Sequence, residues 1–488
     1  MRNVPCFPAG RRPATAVRDG MWSETFKIDV ITPLLGGGAV AKQPDPITPI
    51  RVSSVLGHLR FWWRATAGRR YKTIDQLCAA EAALWGTMAS PQKVYEKVYV
   101  ACAIPSKPTP VCLARLALNG TDNQGSWKTK TEFPDRPETS QSTDTPKPPR
   151  NTKFRFAIKL PEDVAEKLKP QRGHPCDKQC AEKLIADANQ QLQLLYLPSF
   201  TFTLKVSCPS AHKHDVKLAL RAWCNFGGIG AGTRRGFGAL YCKTLACGME
   251  GDWLGLFPLV SPANTLEWST LLAKPLLSAP TNNDIVQAWH GPNDLMQEFR
   301  QGDGIGRNGR SRSYWPEADS LRALAKGTPN HRPGNTVKGL SDPNSLNPVR
   351  ALDHAGFPRA DLGLPITFQF LVDRQDKELE ATLTPADSDR LASCFILRPY
   401  KDAEGKLYGM ILPLSQPPLK SGKLVFKNAS AWASTQFPKE WTKGVPLSST
   451  HFINKAFAAY PTSPLKCRSP AGSAVEGFRA FAIEKGYK

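Results

Sequence analysis

Thirteen consecutive residues, Phe226-Gly227-Gly228-Ile229-Gly230-Ala231-Gly232-Thr233-Arg234-Arg235-Gly236-Phe237-Gly238, contain six glycines, and their only charges are two adjacent arginines. A segment this rich in glycine cannot continue a helix or a strand, so it fixes a loop wherever the chain folds. Glycine lets the backbone take φ > 0 and come close to a ligand, and successive N–H groups in such a loop form concave anion sites. Two arginines add planar forks suited to phosphate. The order of elements excludes one familiar use. A dinucleotide fingerprint runs strand, glycine turn, helix. Here residues 215–226 read as a helix, with Val216, Leu218, Leu220, Trp223 and Phe226 apolar, and residues 237–244 read as a strand. A second glycine run, Gly304-Ile305-Gly306-Arg307-Asn308-Gly309, also follows a helical stretch and fails the same test. On spacing alone, a plain glycine-rich turn accounts for either run equally well.

The charge balance favours a polyanionic partner. There are 64 Lys and Arg against 42 Asp and Glu, a formal charge of +22 over 488 residues. An excess of that size points to nucleic acid or another anionic surface. The length predicts two or three domains. No run of apolar residues is long enough to span a bilayer, and residues 1–20 lack an apolar signal core and read as a flexible arm. The twelve cysteines are scattered through apolar runs, which suits a reduced, cytoplasmic protein.

Periodicity predicts strands at 25–33, 97–104, 111–118, 154–160 and 200–206, and helices at 51–70, 73–84, 180–195 and 215–226. Residues 119–153 are polar and aperiodic and read as a mobile insertion or extended finger. The resulting β-α-β…β-α-β order is the ferredoxin-like pattern. Residues 250–280 read as connection and 283–300 as helix. Strands at 366–372, 394–397, 407–412 and 423–427 predict a second α+β unit. The expected division is an arm at 1–20, a first domain at 21–250 with an insertion near 104–152, and a second at 251–488 with a basic loop at 301–361.

The helix at 51–64 separates two faces when plotted at 100° per residue. Val52, Val55, Leu56, Leu59, Trp62 and Trp63 form one apolar arc; Ser53, Gly57, Arg60 and Arg64 fall together opposite it. Small residues leave room at the backbone, and the two arginines, one turn apart, suit a phosphate chain lying along the stripe. A solvated face that binds nothing fits the same pattern. Trp62 and Trp63 belong to the core arc, and Phe61, off that arc, is the better candidate for base stacking. His58 lies away from the stripe. Farther on, Arg307-Asn308-Gly309-Arg310-Ser311-Arg312-Ser313-Tyr314-Trp315-Pro316 interleaves arginine with aromatics, the combination that holds single-stranded nucleic acid by charge and stacking. Cys176, Cys180, Cys208 and His212 form a loose candidate set for structural zinc, with unrelated thiols and a surface histidine as the simpler reading.

Three blocks, taken in order, resemble a known family. Ile31-Thr32-Pro33-Leu34 leads into Gly36-Gly37-Gly38. Ile50-Arg51-x-Ser53-Ser54-x-x-Gly57-x-Leu59-Arg60-Phe61-Trp62-Trp63-Arg64 follows, and then Glu81-x-x-Leu84-Trp85-Gly86. Together with the loop Gly228–Gly238, they resemble the RAMP superfamily and, within it, subunit one of the Cmr module, the type III-B CRISPR RNA-guided effector. Arg312-Ser313-Tyr314-Trp315-Pro316-Glu317, Phe357-Pro358-Arg359 and Arg390-Leu391-Ala392-Ser393 resemble that family's second half. Residues 104–152 and the tail after about 430 resemble nothing in it.

The resemblance implies two ferredoxin-like, RRM-related domains with loop insertions. It implies a non-catalytic, cofactor-free subunit in antiviral defence that binds guide and/or target single-stranded RNA near the guide 3′ end, beside other Cmr subunits. The candidate RNA contacts, read from the stripe, the glycine loop and the basic segments, are Arg51, Ser53, Gly57, Arg60, Arg64, Gly228, Gly230, Gly232, Thr233, Arg234, Arg235, Arg310, Arg312, Tyr314, Trp315 and Arg359. The alternative within the superfamily is a metal-independent endoribonuclease that processes guide precursors. That reading needs a general base such as His58 near the glycine loop.

Overall fold

The computed structural model describes residues 20–38, 43–45, 47–86, 98–122, 126–132, 161–169, 176–192, 194–247, 256, 266–301, 357–368, 381–415, 423–427, 445–446 and 474–488. The arm at 1–19, the strand expected at 154–160, the second glycine run, Arg310, Arg312, Tyr314 and Trp315 lie outside the described residues.

The first unit is built on β1 (Met21–Val30), in which Phe26, Ile28 and Val30 point into the core while Thr25 and Lys27 are exposed. This period of two selects one buried face. β1 pairs antiparallel with β7 (Phe200–Pro209), setting Phe26 opposite Leu204 and Ile28 opposite Phe202. β3 (Tyr99–Ala103) pairs with the far edge of β7, and β8 (Leu240–Tyr241) with the far edge of β1. The sheet order is therefore β3-β7-β1-β8. Helix α1 (Val52–Ala65) connects β1 to β3, and α5 (Lys213–Phe226) connects β7 to β8. This is the β-α-β…β-α-β order expected from the sequence. Both helices cover the buried face of the sheet: Val55, Leu59, Trp62 and Trp63 of α1 join Val216, Leu220, Trp223 and Phe226 of α5 in one cluster with Ile28, Phe202 and Leu204.

Four details of the first unit differ from expectation, the first being that the helix expected at 51–70 stops at Ala65 and a 3-10 turn follows at Ala67–Arg70. The strand expected at 237–244 shrinks to two residues, because backbone bonds hold the chain in the loop through Gly238 and a 3-10 turn takes over at Lys243–Leu245. The helix expected to reach residue 195 is α4 (Lys178–Leu192), and Leu194 and Leu195 instead enter β6 (Leu194–Leu197). The stretch expected as a mobile insertion or extended finger contributes to a strand hairpin. β4 (Val111–Thr121) and β5 (Trp127–Glu132) form a hairpin in a second sheet, β2-β6-β4-β5, in which β2 is Leu34–Leu35. Leu116 packs there on Ala181 and Ile185 of α4, and the Asn189 side chain bonds both the N–H and the C=O of Leu116. A short helix α3 (Glu162–Lys167) precedes α4, and α2 (Ile74–Trp85) follows α1.

The second half contains β9 (Leu276–Leu277), α6 (Ile285–Gln301), β10 (Ile366–Phe368), β11 (Ala381–Pro385), β12 (Phe395–Lys401), β13 (Leu407–Pro413), β14 (Lys423–Lys427), β15 (Val445–Pro446) and α7 (Ala474–Glu484). Its strands fall into two antiparallel sheets, β12-β13-β9 and β10-β11-β14-β15. Among the described residues, one sheet of the molecule carries the ferredoxin-like order. Ile396, Tyr400, Tyr408, Met410 and Leu412 continue the core of the first unit, so β12 and β13 close over α5 and the glycine loop. Among the described residues no helix is long and apolar enough to cross a membrane.

Candidate nucleic-acid interface

Helix α1 begins where Asp45 accepts the N–H groups of Ile47 and Thr48 at 2.9 Å and pairs with Arg51 at 3.3 Å. Arg51, the first of the predicted contacts, is thus engaged with a carboxylate at the helix entry. Ser53 and Gly57 are exposed on the outer flank, and a Cβ added at Gly57 meets no atom within 4 Å. Arg60 and Arg64 follow on the same flank. Both donate to one oxygen of Glu81 on α2, Arg60 through Nε at 2.5 Å and Arg64 through Nη1 at 2.6 Å. Their side chains stay 39% and 32% exposed, while that of Glu81 is 7% exposed. The stripe is therefore a three-residue cluster carrying one net positive charge. Phe61, expected as an open stacking platform, is half-buried against the core with its ring edge-on to Trp62 at 5.2 Å.

Open space over Gly57 predicts two effects of opposite sign for one substitution. Gly57→Ala is expected to stabilise the helix by up to about 1 kcal/mol, because alanine is the better helix former. It is also expected to weaken single-stranded RNA binding about threefold if a backbone lies against that flank. Thermal melting and a binding titration measure the two separately, and unchanged affinity would show that no strand packs over Gly57.

Another flank of α1, about 160° around the helix from Arg60 and about 120° from Arg64, faces the glycine loop. His58 stacks on Trp223 with ring centroids 6.0 Å apart, and the Trp223 indole donates to the Gly228 carbonyl at 3.1 Å. Burial pushes the His58 pKa below its ordinary value, which keeps the imidazole neutral at pH 7. The arginine stripe and the glycine loop are thus held on different sides of one helix.

The loop itself is pinned from three directions. Thr32, buried after β1, donates its hydroxyl to the Gly236 carbonyl at 2.7 Å and accepts the Ala239 N–H at 2.8 Å. The Ala231 N–H reaches Leu35 at 2.6 Å, and the Gly238 N–H reaches Pro33 at 2.9 Å. Trp289 of α6 donates to the Arg235 carbonyl at 2.7 Å and packs edge-on against Phe237. Gly230 takes φ +85° with its Cα side against the Leu35 carbonyl, where a Cβ would come within 2.5 Å. The amides of Gly230, Gly232, Thr233 and Arg234 have no backbone acceptor among the described residues. Gly228 is buried, Gly232 is exposed and Thr233 is half-buried.

The two loop arginines diverge. Arg234 turns inward and donates to the Ser393 carbonyl of the second half, and burial lowers its pKa. Arg235 is exposed at the loop surface. Arg359 lies in a 3-10 turn at Pro358–Leu362 and reaches the Arg300 carbonyl at 3.4 Å.

The loose zinc set is not assembled. Cys208 is fully buried in the core face of β7, whereas Cys180 is exposed on α4. Among the described residues no group of three or more His, Cys, Asp or Glu stands close enough to hold a metal, and every cysteine is free.

Two neighbours of the candidate site were not assigned a role from sequence. Glu81 is one; its signal is a carboxylate on the apolar face of α2, between Leu77 and Leu84. Arg398 is the other, a charge inside the apolar strand Phe395–Lys401. It is fully buried and donates to the carbonyls of Gly227, Leu240 and Pro399, bracketing both ends of the glycine loop.

Residues 27–241 match the family model of the RAMP superfamily. Among solved structures, the chain is similar to Cmr1 from Pyrococcus furiosus in its apo form, at 14% identity and TM-score 0.34, covering 86% of this chain and 97% of that one. It is also similar to a chain in the cryo-EM structure of the Type III-B Cmr-beta bound to cognate target RNA, at 12% identity and TM-score 0.39, covering 91% of this chain and all of that one. No curated protein matches the sequence.

Proposed function

We propose that this chain is a non-catalytic RNA-binding subunit of a type III-B CRISPR (Cmr) effector, engaging guide and/or target single-stranded RNA near the guide 3′ end in antiviral defence. The observation that carries most of this reading is that the part of the chain matching the RAMP superfamily model presents Arg60 and Arg64, each about one-third exposed, on an open flank of α1 in a chain of formal charge +22. The ordered blocks from Ile31 to Gly86 and from Gly228 to Gly238 narrow the superfamily to subunit one of the Cmr module. Phosphate contacts from such a flank position a strand without reading its sequence, as a subunit serving many different guides requires.

Arg60→Ala with Arg64→Ala is expected to lower affinity for single-stranded RNA about tenfold and to flatten the log–log salt dependence by about 1, since each lost phosphate contact releases fewer counterions. Unchanged affinity and slope would remove the stripe from the interface. The reading as a whole is tested by recovering the tagged full chain from its native cells and sequencing the small RNA bound to it. Guide RNAs sharing one 5′ repeat tag, recovered with several protein partners, are expected. Uncut or freshly processed repeats with the protein alone would replace the binder with a processing nuclease, and no specific RNA would leave a protein-binding scaffold.

A further inference from the structure

Glu81 occupies an unusual position for a carboxylate. Leu77, Leu84 and Trp85 turn one face of α2 into the core, and Glu81 lies among them, 5% exposed. A charge taken out of water there needs a compensating partner. One cation satisfies that requirement, yet the structure supplies two, both bonded to the same oxygen. Sharing one acceptor draws two guanidinium groups together that would otherwise repel across one helical turn. It also orients them. Arg60 uses Nε and Arg64 uses Nη1, which leaves the other donors of both forks outside these two bonds, and both side chains are part-exposed.

The charge of the trio matches one kind of ligand. Two guanidinium groups and one carboxylate leave a single positive charge, and an internal phosphodiester carries a single negative charge. Bound together they are neutral. We propose that Glu81 is a positioning residue that fixes the forks of Arg60 and Arg64 as one site for a single backbone phosphodiester of the RNA strand; this rests on the stripe reading given under Proposed function.

Positioning by Glu81 and simple charge attraction predict opposite signs for its removal. Removing the carboxylate raises the net positive charge by one, and long-range attraction alone would then tighten RNA binding. Loss of positioning weakens it, because the arginines must be ordered again at the moment of binding.

The test uses the full chain and a fluorescein-labelled single-stranded RNA of mixed sequence, titrated against the wild type, Glu81→Ala, Glu81→Gln, Arg60→Ala with Arg64→Ala, and the triple variant. Glu81→Ala is expected to lose about fivefold in affinity and to have no further effect once both arginines are gone, the non-additivity of residues acting as a unit. Glu81→Gln, which keeps an acceptor oxygen in place, is expected to recover most of the loss. Glu81→Ala binding as tightly as the wild type, or tighter, overturns the proposal. So does a loss of equal size in the arginine-free background, which would be a general effect on the fold. If the double arginine variant binds normally, the stripe reading itself fails; if it loses affinity while Glu81→Ala does not, only the positioning role fails.

Discussion

Arg398→Met is expected to destabilise the chain by about 2–3 kcal/mol, read as a lower denaturant midpoint. Methionine approximates the length of the arginine stem and removes every donor. The Gly227 and Leu240 carbonyls, both buried, then lose the guanidinium that holds them from either side of the loop. Burial pushes the Arg398 pKa down to about 9, so at pH 7 the group is a cation surrounded by neutral carbonyls. Releasing that cation from the interior offsets part of the loss. The stranded acceptors decide the sign, because a buried carbonyl without a donor costs about 1–3 kcal/mol and more than one is stranded. Arg398→Lys is expected to restore less than half, since one ammonium cannot reproduce a planar fork that bonds carbonyls at both ends of the loop. An unchanged midpoint in Arg398→Met would show that Thr32 and Trp289 hold the loop without it.

What the sequence displays here is local, and what it hides is long-range. The apolar arc of α1 is legible because Val55, Leu59, Trp62 and Trp63 recur at helical spacing, and all four are buried, whereas Val52, assigned to the same arc, is exposed at the helix start. The strand–helix order of the first unit is legible for the same reason. The β4–β5 hairpin is not. Residues 127–132 read Trp-Lys-Thr-Lys-Thr-Glu, with one apolar side chain to mark a buried face, so alternation gives almost no signal. The stripe arginines are visible as a pattern, but their carboxylate comes from a different helix, 17 and 21 residues away. The glycine loop shows the limit most clearly. Its composition suggests a segment open to a ligand. The folded chain ties it to Thr32 across 204 positions and to Arg398 across 171, and turns Arg234 inward to Ser393. Periodicity cannot encode contacts at that separation. They appear in the sequence only as isolated exceptions, a threonine before a proline and an arginine in an apolar strand.

Those contacts make one glycine of the loop structural. Gly236→Ala is expected to cost about 2–4 kcal/mol. The residue sits at φ +79°, where an L side chain adds about 1–2 kcal/mol of strain. A Cβ there would come within 2.7 Å of the Trp289 indole and 3.0 Å of the Arg398 Cα, adding the cost of overpacking a filled core. Neither neighbour can yield cheaply. The indole is held by its bond to the Arg235 carbonyl, and Arg398 is part of strand β12, which pairs along its whole length with β13. The chain must therefore move the loop instead, breaking the Thr32 bond to the Gly236 carbonyl. Limited trypsin digestion reads this directly, because Arg234 and Arg235 lie immediately before the altered residue. Faster cleavage after these arginines, together with a lower melting temperature, is expected. A variant that melts and is cleaved like the wild type would mean that the loop accommodates a side chain at this position, and that its rigidity comes from Arg398 and Thr32 without any requirement for glycine at residue 236.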